Sequence, residues 1–249
     1  MNAEPRAGSA VATTRYARLY RLLADCADRT DGPESGDHVC DACAEVAGAD
    51  GAALSLISAH RWSALLGTSG ELAKTLADLQ FTLGQGPKIH ALQTGHAVIV
   101  EDVASEASAH DWPVFAPAAA DLGIRALAAL PLSSDGNRVG VLQLYRTTPR
   151  LVDPDELHDA AMCAELALVS ILGHAGGPED VGSSLAAVRL GERAEVYQAT
   201  GMVAEFLGIS LDDALARVKF HAFSHEQSIG YVAHEIVAGQ FMLEADPPG

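Results

Sequence analysis

The sequence predicts an α+β domain built on an antiparallel sheet, followed by a small all-α unit of three helices. Between residues 35 and 173, short apolar strand-like runs alternate with helical patterns, and two of the runs flank an Asp-Gly turn. From Ala186 to Gln240, three amphipathic helix signals follow one another with almost no connecting loop. Between the two regions lies Gly173-His174-Ala175-Gly176-Gly177-Pro178, a stretch that suits a linker. The expected divisions are a tail and helix over 1–34, the mixed domain over 35–173, a linker over 174–184 and the helical unit over 185–245.

Taken in order, residues 1–12 have the Ala, Gly, Ser and Pro content of a disordered end. From Thr14 an amphipathic helix carries Tyr16, Leu19, Tyr20, Leu23 and Ala27 on one side, suited to packing on the main domain or to pairing with a second copy. The polar run Thr30 to Gly36 breaks it. A helix over Asp37–Ala49 precedes strands over Gly51–Ile57 and Arg61–Leu66. The pattern then predicts a helix over Glu71–Leu79, a glycine loop over Thr82–Pro87, a short helix over 88–95 ended by Gly95, and a strand over Ala97–Val100. A helix over Trp112–Leu122 holds Pro113 at a tolerated early position. Ile124–Leu132 and Arg138–Tyr145 form a hairpin across Ser134-Asp135-Gly136-Asn137, and Asp153 with Pro154 opens a long helix to about Leu172.

In the helical unit the first helix runs Ala187–Leu207, with Val196, Ala199, Val203 and Phe206 on one face and Gly208 as its stop. Ser210 caps the second, whose stripe is Leu211, Ala214, Leu215, Val218 and Ala222. The third opens near Ser228, carries Val232, Ala233, Ile236 and Val237, and ends at Gly239. The apolar stripes around Leu157–Leu172 and Leu185–Leu207 extend past what one domain covers, which points to a homodimer through long helices.

Charge and motifs narrow the chemistry. A net charge of −17 over 249 residues disfavours nonspecific attraction to nucleic acid or anionic membrane. No signal-peptide pattern and no apolar run long enough to span a bilayer is present, so a cytoplasmic protein with no membrane or DNA partner is expected. Cys26, Cys40, Cys43 and Cys163 fit a reducing compartment, and the Cys40-x-x-Cys43 pair falls inside a helix without further zinc ligands, so core packing is the expected role. Leu83-Gly84-Gln85-Gly86-Pro87 contains a Gly-x-Gly but no phosphate-loop lysine pattern, which reads as a structural turn. His221 and His225 share a metal-compatible spacing but have no third ligand, and surface histidines are the expectation. No triad, acidic pair or nucleophile-plus-base set emerges, so neither catalytic nor metal residues are assigned and no enzyme is expected.

Two resemblances sit on these residues. Val196-Tyr197-Gln198-Ala199-Thr200-Gly201-Met202-Val203, Ala214 through Phe223, and Val232-Ala233 resemble the ANTAR domain, a three-helix RNA-binding module of bacterial transcription antitermination regulators. Leu83 to Pro87, Thr94-Gly95, Val98 to Asp102, Trp112 to Phe115, and Pro131-Leu132 with Gly140 to Tyr145 resemble GAF domains found ahead of such modules in actinobacterial regulators. The resemblance implies a GAF sensor that controls ANTAR binding to tandem hairpin loops in nascent RNA. RNA contacts would come from Gln198, Thr200, Arg217, Lys219, His221 and Gln227. No fixed cofactor is implied, though an unidentified small molecule could occupy a sensor pocket lined by Leu56, Trp62, Phe81, Phe115, Ile124 and Leu142, with Gln85 and Lys88 at its rim. Lys88 stands where relatives often hold a cysteine; it either meets an anionic ligand or reaches solvent, and solvent is the expectation. From Leu185 to Gly249 there are nine acidic against four basic side chains. That balance keeps open a second reading, a dimeric sensor whose helical unit binds a protein partner.

Overall fold

The computed structural model describes residues 35–57, 63–134, 137–150, 154–156, 158–159, 161–163 and 194–243. The expected tail and first helix, the linker, Trp62 and most of the long helix after Pro154 lie outside the described residues.

Five strands form one antiparallel sheet in the order β2-β1-β5-β4-β3. They are β1 (Gly51–Ile57), β2 (Ser63–Thr68), β3 (Val98–Val100), β4 (Ala126–Ser134) and β5 (Asn137–Arg146). β4 and β5 pair up to Ser134 opposite Asn137, on either side of Asp135-Gly136, as the turn signal predicts. Because strand side chains alternate between faces, each strand serves two cores. Leu54, Leu66, Leu130, Leu132, Leu142 and Leu144 face α1 (Ser35–Val46), together with Cys40, Cys43, Met162 and Cys163. Ala53, Leu127 and Tyr145 face the other way.

That second face is covered by α2 (Glu71–Leu83) and α3 (Pro87–Thr94), while α4 (Glu106–Asp111) packs on α5 (Phe115–Asp121), which in turn packs on α2. Two expectations change here. α2 runs four residues past Leu79, because its stop is Gly84, which takes the left-handed conformation (φ 64°) that ends a helix. The helix expected over Trp112–Leu122 is shorter, starting only at Phe115 as α5, and a separate helix that was not expected, α4, capped by Ser105, precedes it and ends at Asp111. Pro113 therefore lies between helices rather than in the first turn of one.

The C-terminal helices form a third core. The helical residues 194–207 (α6), α7 (Leu211–Ser224) and α8 (Ile229–Val237) bury Val196, Ala199, Val203, Ala214, Val218, Ala222, Val232, Ala233 and Ile236 together. Ser210 and Ser228 accept from the backbone N–H groups of Asp213 and Tyr231, the caps their positions predict. Phe206 and Leu211, expected in the apolar stripes, are instead exposed. Both sit at helix ends, and a spacing pattern carries no information about whether a partner helix reaches that far.

Candidate functional site

Between the sheet, α2 and α3 lies a buried polar cluster. Gln80, near the end of α2, is fully buried and bridges two elements. Its Nε2 donates to Gln143 Oε1 on β5 at 2.7 Å, and its Oε1 accepts from the backbone N–H of Lys88 at 2.9 Å. Lys88 is 1% exposed and its Nζ donates to the Ala77 carbonyl of α2 at 3.0 Å. Ser55 lies on the same sheet face one strand over, and both it and Gln143 are buried. Ser55 Oγ and Gln143 Nε2 have no protein partner there. An unpaired buried donor is costly, so such a place suits a ligand or water that brings an acceptor.

The glycine loop explains the geometry. Gly84 caps α2, while Gly86 (φ 117°) starts α3 so close to Gln80 that a Cβ would stand 2.6 Å from its Oε1. The Gly-x-Gly is thus a turn that delivers Lys88 inward, and the expectation that Lys88 reaches solvent is overturned.

The pocket set read from the sequence does not converge. Phe115 and Ile124 belong to the core on the α2–α5 side. Leu56 and Leu142 face the α1 side, one residue out of phase with Ser55 and Gln143. For Leu56 and Leu142 apolar character led to the wrong parity, since the neighbouring strand positions that face the cluster are Ser55 and Gln143. Phe81, although on α2, packs in the helical-bundle core, edge-on to Tyr197 with ring centroids 6.5 Å apart. Gln85 is partly buried, with Oε1 enclosed. A shallow apolar recess on the α1 side has Arg146 directed to Glu156 at 3.1 Å and to the Ala47 and Gly48 carbonyls, which leaves it little to offer a ligand.

The six residues assigned to RNA also divide. Gln198 and Gln227 are exposed and Arg217 is half-buried. Thr200 is buried and its hydroxyl donates to the Val196 carbonyl at 2.7 Å, so it is not presented for contact. Lys219 places Nζ 4.1 Å from the centre of the Phe81 ring. His221 stacks on His225 at 4.0 Å and against Phe241 at 4.7 Å, and burial, with His225 second, lowers its pKa. What sequence reasoning missed is a set of exposed aromatics: Phe206, Phe220, Phe223 and Tyr231, of which Phe220 is 72% exposed. Among the described residues, every large exposed aromatic is on this bundle. For Phe220, Phe223 and Tyr231, a large aromatic outside the buried stripe of an amphipathic helix is the signal that could have found them.

The described residues contain no group of three His, Cys, Asp or Glu side chains placed to hold a metal ion, and no helix long and apolar enough to cross a membrane.

Comparison with known proteins places the sheet domain. A model of the GAF domain family matches residues 33–167, more than half of the chain. No curated protein matches the sequence. Among solved structures, the GAF domain of an Acinetobacter phosphoenolpyruvate-protein phosphotransferase is similar at 16% identity, with a TM-score of 0.47, over 67% of this chain and 98% of that one. The corresponding domain from Coxiella burnetii is similar at 17% identity and a TM-score of 0.46, over 65% and 98%. Free methionine-R-sulfoxide reductase from Neisseria meningitidis is similar at 19% identity and a TM-score of 0.44, over 67% and 92%.

Proposed function

The chain belongs to the GAF domain family, and on that premise we propose that it is a sensor whose C-terminal helical bundle, resembling the ANTAR module, binds hairpin loops in nascent RNA and acts in transcription antitermination. The observation that carries this reading is the exposed aromatic set on the bundle, Phe206, Phe220, Phe223 and Tyr231. Proteins read RNA loops by stacking splayed bases on aromatic rings and pairing their edges with polar groups. Stacking needs little positive charge, which makes it compatible with an acidic module. Arg217, Gln198 and Gln227 supply the polar contacts nearby in sequence.

In this reading the divisions are a sensor over 35–173, a linker over 174–184 and an output module over 185–245. The protein works in the cytoplasm as a homodimer that presents two modules to two hairpins, without catalysis of its own. The polar cluster around Lys88, Gln80, Gln143 and Ser55 would receive an acceptor-bearing small molecule as the signal.

The test is a titration of the full chain against RNA carrying two adjacent hairpins, with a single-hairpin control. The Phe220→Ala variant should lose about 10-fold in affinity, within the range of one stacked base. Wild-type protein that is folded and fails to bind even at low salt would sink the reading. A protein-partner reading then takes its place, favoured by the excess of acidic side chains in the module and by the engagement of Lys219 with Phe81.

A further inference from the structure

α2 belongs to two cores at once. Its sheet-facing residues Ala73, Leu76, Ala77 and Gln80 are buried in the sensor, while the next residue, Phe81, is buried among the bundle helices. Phe81 meets Tyr197 of α6 edge-on and lies under the Lys219 ammonium of α7, so one ring holds two helices of the bundle. At the other end of the same segment, Lys88 Nζ donates to the Ala77 carbonyl. In an α-helix that carbonyl is the acceptor for the amide four residues on, which is Phe81. The backbone N–H of Lys88 is in turn held by Gln80. Sensor cluster and bundle contact are therefore separated by one peptide unit and share a carbonyl.

We propose that α2 is a two-sided clamp: Lys88 secures it inside the sensor, Phe81 holds Lys219 and Tyr197 of the bundle against it, and a ligand that draws Lys88 out of the cluster loosens the bundle's second helix. The docked arrangement occupies Lys219, one of four basic side chains between Leu185 and Gly249. Docking thus withholds a cation that an output partner would use. A ligand can shift this balance only if it binds the undocked arrangement better, and the unpaired Ser55 Oγ and Gln143 Nε2 provide groups for such preference. The significance of the released cation for RNA rests on the proposed function; the clamp itself does not.

The experiment measures Lys219 in the full chain without RNA. Its rate of acetylation by an amine-reactive ester is followed by mass spectrometry, with Lys74 as the internal reference. Phe81→Leu keeps an apolar side chain but removes the ring, and should raise the Lys219 rate about threefold, the scale of a lost cation–π contact. Tyr197→Leu loosens the same contact from the bundle side and serves where Phe81→Leu does not fold. Lys88→Met, which keeps the chain length and removes the ammonium, should raise the rate in the same direction. An unchanged rate in both ring variants overturns the clamp, and an unchanged rate in folded Lys88→Met overturns its link to the sensor cluster. If the rates rise but wild type and Phe81→Leu bind no RNA, the clamp stands and the RNA reading fails.

Discussion

Replacing Gln80 by leucine would strand two buried groups, the Lys88 backbone N–H and Gln143 Oε1. Leaving buried partners unsatisfied costs about 1–3 kcal/mol each. Gln80→Leu should therefore destabilise the protein by about 2–4 kcal/mol in denaturant unfolding, with part recovered in the Gln80→Leu/Gln143→Leu double variant. A loss below about 0.5 kcal/mol would mean that water takes the place of Gln80 at these groups and that the cluster is not tightly built. Lys88 shows the same principle at one residue: a lysine is almost never fully buried unless its charged end is served, and here a helix carbonyl serves it.

At the scale of elements, caps and alternation set what each segment presents. Ser210 satisfies the Asp213 amide at 3.1 Å, and its Ser210→Ala variant should lose about 1 kcal/mol of α7 stability. Faster hydrogen exchange confined to the first turn of α7 would show it; unchanged exchange would mean that packing of Ala214 and Val218 alone holds that end. The sheet has the complementary property. Moving one residue along β5, from Leu142 to Gln143, crosses from the apolar α1 core to the polar cluster. α2 matters because its final turn, between Leu79 and Gly84, contains both Gln80 and Phe81.

The whole molecule is strongly acidic, and that bears on how it could bind RNA. Only Arg217 and Lys219 offer cations on α7, so few phosphates would be neutralised. The logarithm of RNA affinity should fall with the logarithm of salt concentration at a slope no steeper than about −1.5, as expected for two contacts to single strands. A slope near −5 would show that basic residues elsewhere in the chain carry the binding, and would remove the argument for aromatic stacking.

By itself the sequence determined the α+β class, the hairpin at Asp135-Gly136, the capped helices at Ser210 and Ser228, and the membership that local motifs such as Leu83 to Pro87 announce. These are decided by the conformational preferences of a few neighbouring residues, which a linear pattern records. Only the tertiary structure decided that Lys88 turns inward, that Leu142 and Gln143 serve opposite faces, and that Phe81 belongs to the bundle. Phe206 and Leu211 fall in the same class, since their exposure depends on where the neighbouring helices end. Each of these outcomes depends on a surface contributed by residues distant in the chain, so no local periodicity could contain it.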